Sequence, residues 1–195
     1  DLKAETFLKE ITGEMPSDLS ISLSAGSAAL QGIGMSGVNM NIVKKGDNIT
    51  LSDGRANLGK GTITAGGEMV LQDPMENSTM DISARGEDLD LSALSTAQAS
   101  KMPVQGIFTG DLSVKGTVAD PSIDLKLSSP QVTASGMTVE KLSLVTIGNM
   151  ENMKIQDLSA MVGKGSFQVT GDVRPVSSTA DLKLEGKALD IKVLT

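Results

Sequence analysis

The stretch PVQGIFTGDLSVKGTVADPSIDLKL, residues 103–127, decides how the chain is read. Its even positions Phe108, Leu112, Val114 and Val118 are apolar, with Gly110 and Gly116 on the same side. Its odd positions Thr109, Asp111, Ser113, Lys115 and Thr117 are polar. After Ala119-Asp120-Pro121 the pattern resumes, with Ile123, Leu125 and Leu127 on one face and Asp124 and Lys126 on the other. Successive strand side chains point to opposite faces, so this alternation predicts a sheet with one oily and one wet face.

The same pattern runs outward in both directions. Upstream it predicts strands over 19–25, 35–42, 49–58, 62–71 and 78–91. Their oily positions include Ile21 and Leu23, Met40 and Ile42, Leu51, Ile63 and Met69, and Ile82. Downstream it continues to the end through Leu142, Leu144, Ile155, Phe167, Val169, Leu182 and Leu184. Together with the apolar positions of 103–127, these residues are the expected lining of a hydrophobic groove. Turn signals separate the segments: Gly46-Asp47-Asn48, Gly66-Gly67 and Asp73-Pro74, then 116–121, Ser129-Pro130, 147–149, 163–165 and 175–178. Two short helices are predicted. One spans about 3–13, with Leu2, Phe7, Leu8 and Ile11 near one face and Gly13 and Pro16 as stops; the other spans about 92–101 and ends at Pro103.

The chain also repeats itself. Gly59-Lys60-Gly61-Thr62-Ile63 matches Gly163-Lys164-Gly165-Ser166-Phe167 at an offset of 104 (163 less 59). Asp81-Ile82 through Leu89-Asp90-Leu91 matches Asp181-Leu182 through Leu189-Asp190-Ile191 at 100 (181 less 81). Ser20-Ile21 and Gly34-Met35 match Ser122-Ile123 and Gly136-Met137 at 102 (122 less 20). Two units are therefore expected, 1–102 and 103–195, each preceded by a short helix and joined in one elongated β structure. Asp1-Leu2 matches the end of a unit, so the chain reads as an internal piece of a longer protein.

Composition narrows the function classes. Aromatic residues make up 2% of the chain, against 21 Gly and 11 Met. That suits a thin, elongated structure with a shallow oily layer. The formal net charge is −7, with scattered charges and no basic stripe, which argues against nucleic acid and against electrostatic docking on an anionic membrane. Absence of Cys removes thiol chemistry, and absence of His removes the commonest metal ligand and general base. No apolar run is long enough to span a membrane as a helix.

Motifs of chemistry give little. Gly32-Ile-Gly34-Met-Ser-Gly37 has the spacing of a dinucleotide fingerprint, but Val38-Asn-Met40-Asn-Ile42 after it alternates like a strand, so a glycine-rich turn is expected. Gly163-Lys164-Gly165-Ser166 lacks the upstream glycine of a phosphate loop and repeats as Gly59-Lys60-Gly61-Thr62. Glu87, Asp88 and Asp90 crowd together as calcium ligands would, yet Glu87-Asp88 becomes Lys187-Ala188 in the second unit, so a solvated turn is the better reading. No catalytic residue, cofactor or metal site is expected. The Met residues read as core filler or as an adaptable lining for varied hydrophobic ligands.

The order Gly110-x-Leu-x-Val-x-Gly-Thr-x-x-Asp-Pro-x-x-Asp-Leu-x-Leu127 resembles the AsmA/TamB family of bacterial envelope proteins. So do the Gly-Lys-Gly strands starting at Gly59 and Gly163, and the unit ending Leu-Asp-Leu followed by a short helix and Pro. The resemblance implies a mainly β fold: an elongated antiparallel sheet curled into a U-shaped, taco-like trough with an apolar interior. It also implies a periplasmic location, within a protein anchored to the inner membrane and reaching toward the outer membrane. The implied function is non-catalytic conduction of phospholipid between the membranes. The implied partners are acyl chains, an outer-membrane barrel protein of the assembly-module type and neighbouring repeats of the same chain.

The residues alone leave alternatives open. An apolar path lowers the cost of exposing methylenes, about 0.8 kcal/mol each or on the order of 12 kcal/mol for a sixteen-carbon chain. A groove that accepts strands of nascent outer-membrane proteins would show similar alternation. A β-sandwich or solenoid with a closed core, serving as spacer or stalk, would too.

Overall fold

A computed structural model describes residues 17–30, 33–90, 104–134 and 137–188. Period-two alternation becomes eleven strands in chain order: β1 (Asp18–Leu30), β2 (Ile33–Lys45), β3 (Asn48–Leu58), β4 (Gly61–Val70), β5 (Thr79–Asp90), β6 (Val104–Thr117), β7 (Pro121–Ala134), β8 (Met137–Gly148), β9 (Met153–Val162), β10 (Gly165–Arg174) and β11 (Thr179–Lys187). They form one sheet in that same order, and every pairing is antiparallel. Each strand hydrogen-bonds only to its sequence neighbours. The sheet is not closed, so β1 and β11 are its edges among the described residues.

Short turns make this meander possible. Gly59-Lys60 joins β3 to β4 and Gly163-Lys164 joins β9 to β10. Gly59 and Gly163 hold φ of +60° and +59°, the left-handed conformation that two-residue hairpins require. The longer β4–β5 connection carries one turn of 3-10 helix, Met75–Asn77. It is pinned by Ser78, which is fully buried. Ser78 Oγ accepts the Gln72 N–H at 2.9 Å, and its carbonyl accepts the Val118 N–H at 2.9 Å.

Several expectations are corrected. β1 and β2 are longer than the alternation over 19–25 and 35–42 suggests, at 13 residues each, whereas β5, Thr79–Asp90, falls within the expected 78–91. Ser129-Pro130 is no turn but lies inside β7. The register passes from Ser129↔Leu142 to Gln131↔Glu140, and Ser129 Oγ donates to the Gln131 carbonyl at 3.0 Å. Lys141, the residue facing Pro130 in that register, holds φ +52°. A proline without an N–H is tolerated at such an irregularity. Gly66-Gly67 lies within β4, and Gly34 and Gly37 lie within β2. Glu87 and Asp88 lie within β5, where Asp88 (φ +52°) accompanies a register shift between Gly86 and Leu89. The two predicted helices, about 3–13 and 92–101, lie outside the described residues, and there is no α-helix among those described.

The burial is shallow. Among the described residues, the buried apolar side chains are Val38, Ala56, Leu58, Ala160 and Val162, with Leu58 only 2% exposed. Four of these sit at the Gly-Lys hairpins: Ala56 and Leu58 beside the first, Ala160 and Val162 beside the second. A sheet covered by a second layer would bury the middles of its strands as well. Here most apolar positions in the strand middles are only partly buried, Val38 in β2 being an exception, and the described residues form one sheet layer.

Candidate apolar face

The register places the expected groove residues relative to one another. Ile21, Ile42, Leu51, Gly67, Ile82, Val114, Ile123, Gly148, Met153, Val173 and Ala180 are successive cross-strand partners, one per strand from β1 to β11. No polar side chain interrupts this row. A second row runs from Gly54 in β3 through Ala65, Ala84, Leu112, Leu125, Thr146, Ile155 and Gly171 to Leu182. A third runs from Ala56 through Ile63, Gly86, Gly110, Leu127, Leu144, Leu158 and Val169 to Leu184.

The other expected residues join at the margins. Leu23 pairs with Met40, Met69 with Ile49 and Met80, Phe108 with Leu89, Leu142 with Ser129, and Phe167 with Ala160 and Gly186. Val118 is the exception. It lies beyond the end of β6, in the bend held by Ser78, and not on the strand face.

Glycines let the rows lie flat and close. A Cβ on Gly67 (φ +152°) would collide with the Asp81 carbonyl and come 2.7 Å from Ile82 Cα. Gly171 (φ +143°) meets the Asp181 carbonyl and Leu182 Cα in the same way. These are backbone approaches that only glycine permits.

Three buried polar side chains share this face: Lys44, level with Leu19 and Ile49; Ser129, level with Leu142; and Thr146, level with Leu125 and Ile155. They were not singled out from sequence. Lys44 continues the parity of Met40 and Ile42, which is the signal that would have found it.

The opposite face is charged and paired. Arg85 Nε lies 2.9 Å from Glu87 and its Nη1 2.9 Å from Asp111 across the β5–β6 ladder. Hydrogen bonds to Glu87 and then Asp111 hold the guanidinium pKa above its usual value. Lys115 reaches Asp81 at 3.0 Å between the same strands. Asn41 donates to Asp53 at 2.9 Å, and Gln168 to Asp157 at 2.8 Å. A concavity of about 760 Å³ spans β2 to β7, and Arg55, Thr64, Arg85, Asp111, Asp124 and Lys126 in its lining place it on this polar side. Its charges neutralise one another, so it presents no concentrated field to a ligand. No group of three or more Asp or Glu residues converges as metal ligands among the described residues.

No helix among the described residues is long and apolar enough to cross a membrane. No family model, curated protein or solved structure matches the chain.

Proposed function

We propose that the apolar face receives hydrophobic chains, and that the protein conducts phospholipid acyl chains across the cell envelope as part of a structure like that of the AsmA/TamB family. The observation that supports this is the Ile21-to-Ala180 row: an apolar path one residue wide or more, running unbroken over eleven strands, with no second sheet layer among the described residues. Ten inter-strand steps of about 4.8 Å give a path of roughly 48 Å, longer than an extended acyl chain. Each methylene laid on it avoids about 0.8 kcal/mol of exposure. In this reading the sheet curls lengthwise into a trough with the apolar rows inside. Transfer along it needs no covalent chemistry, and side chains of Leu, Ile, Val and Met impose no headgroup preference. An outer-membrane barrel and neighbouring repeats are the partners this reading implies.

Photo-crosslinking tests it. A photoreactive residue at Leu112, Leu125 or Leu144 labels co-purifying phospholipid, while one at Asp111 or Lys115 on the opposite face does not. Equal labelling of the two faces overturns the proposal. Native mass spectrometry of the chain purified from envelope-containing cells identifies the lipid released.

A further inference from the structure

Met69 and Met80 face each other across the β4–β5 ladder. Among the described residues, no other two methionines are cross-strand partners. Residues directly opposed in an antiparallel pair bring their Cβ atoms to about 5 Å. Both side chains belong to the apolar face, and both are half-buried. On the far side of Met80 stands Gly116, which has no side chain to fill the space beside it.

The connection between the two strands adds a third thioether. Met75 opens its 3-10 turn and is 51% exposed. Its Sδ accepts a hydrogen bond from Ser78 Oγ at 3.4 Å. Ser78 is fully buried and stands two residues before Met80, so the two share a side of the chain. The same hydroxyl accepts the Gln72 N–H at 2.9 Å and lies 3.4 Å from the Gln72 carbonyl, which fixes its place. The Met75 sulfur is thereby turned back toward the hairpin. Three thioethers meet at one end of one hairpin, and the Met75 sulfur has a second lone pair to offer.

Packing alone does not ask for sulfur here. In the second unit the pair Met69↔Met80 becomes Val173↔Ala180, opposed in the same way, at offsets of 104 (173 less 69) and 100 (180 less 80). The turn between those strands, 175–178, holds no methionine. The ladder position is thus filled in one unit by plain hydrocarbon and in the other by two thioethers with a third beside them.

Thioethers are neutral and polarisable. They are poor ligands for hard cations and suit soft ones. The chain has no Cys and no His, so methionine supplies all of its soft donors. Asp73 and Glu76, both exposed, flank Met75 and favour positive charge nearby.

We propose that Met69, Met75 and Met80 form a three-thioether site for a soft monovalent cation, Cu(I) or Ag(I). Three sulfurs satisfy the low coordination number that these ions accept. No ligand has to lose a proton, so uptake releases none, unlike uptake by thiols or imidazoles. The site stands independently of what the apolar face carries.

Titration of the full chain, with methyl-labelled methionine, tests this. Ag(I) is the first probe because it does not change oxidation state; anaerobic competition against a chromophoric Cu(I) chelator repeats the measurement with copper. Native mass spectrometry is expected to show one ion per chain. The methyl signals of Met69, Met75 and Met80 are expected to move together, while Met150, equally exposed at 54% in the turn after β8, stays in place at one equivalent. Excess Mg(II) moves none of them. M75L and M80L keep the volume of the side chain and weaken binding by about tenfold or more, whereas M150L leaves it unchanged. No uptake of either ion overturns the proposal. So does uptake that M75L and M80L leave unchanged, or methyl shifts shared equally with Met150. If circular dichroism shows that a variant fails to fold, the methyl shifts of the unaltered chain decide alone.

Discussion

Gly67 and Gly171 stand 104 positions apart (171 less 67) and share one backbone solution, with φ of +152° and +143°. Each lies against the carbonyl of an aspartate and the Cα that follows it in the next strand, Asp81-Ile82 for the first and Asp181-Leu182 for the second. Gly59 and Gly163 correspond in the same way, and so do Asp88 and Ala188, at φ +52° and +50°. Residues one repeat apart thus match in their backbone conformation as well as in their sequence.

Gly67→Ala and Gly171→Ala are expected to destabilise the sheet by about 1–3 kcal/mol or more, because the added Cβ meets backbone that cannot move aside and the φ is unfavourable for alanine. Gly34 is the contrast, since it has open space at its Cβ position and an ordinary φ. Gly34→Ala is expected to be neutral or to stabilise by about 0.4–1 kcal/mol. Denaturant midpoints of the three variants check this. Equal loss in all three would remove the close-approach argument.

Leu58→Ala is expected to cost about 2 kcal/mol, the low end for a buried leucine, because a single-layer sheet lets water reach the space. Leu182→Ala, at a half-exposed position on the edge strand, is expected to change the stability of a monomer far less. Thermal unfolding at low protein concentration compares the two.

Leu112→Asp and Val114→Arg are expected to leave the far-UV circular dichroism of the sheet in place while abolishing recovery of co-purified lipid. Both side chains project from the apolar face of β6, and neither is among the fully buried residues. Lipid extraction after purification gives the readout. Undiminished lipid would remove the role assigned to this face.

The hydrogen bond from Lys183, and then its charge, hold the Glu185 carboxyl below the ordinary glutamate range, and Lys187 adds to the effect. Lys183 is raised in turn by the same partner. A lowered folded-state pKa means that Glu185 contributes stability above the ordinary glutamate value and loses it as pH falls through the depressed one. Carbon-detected NMR titration is expected to place Glu185 below a reference glutamate, and Lys183→Ala to return most of that shift. Gln168, its cross-strand neighbour in β10, carries no charge that would complicate the titration.

The fold was largely legible because alternation is a strong signal when one face of every strand is apolar. In the 103–127 stretch, Leu112 opposite Leu125 and Val114 opposite Ile123 emerge from parity alone. What parity does not carry is where it slips. Ser129-Pro130 carries a turn signature, yet the irregularity beside Lys141 absorbs the proline within a strand. Gly66-Gly67 also reads as a turn, and only the closeness of β5 shows why two glycines sit mid-strand. Its place after an expected helix and a proline aligns the stretch 103–127 with the residues after Pro16. In the sheet, however, β1 corresponds to β7, as Ser20 to Ser122 requires, so β6 has no counterpart among the described residues. Whether the oily face is covered is a question of layers, and periodicity within a strand holds no information about a second layer. For the described residues, the single sheet and its partly buried strand middles supply it.

Each strand bonds only to the strands before and after it in sequence, so every strand pairing among the described residues joins neighbouring segments of the chain. Such a chain can assemble by zipping from any hairpin outward, without waiting for distant segments to meet. The two Gly-Lys hairpins, where four of the buried apolar residues sit, are the natural starting points. Pulled from its ends, the same sheet yields one strand at a time, so it would lengthen under load in steps and leave the remaining strands paired.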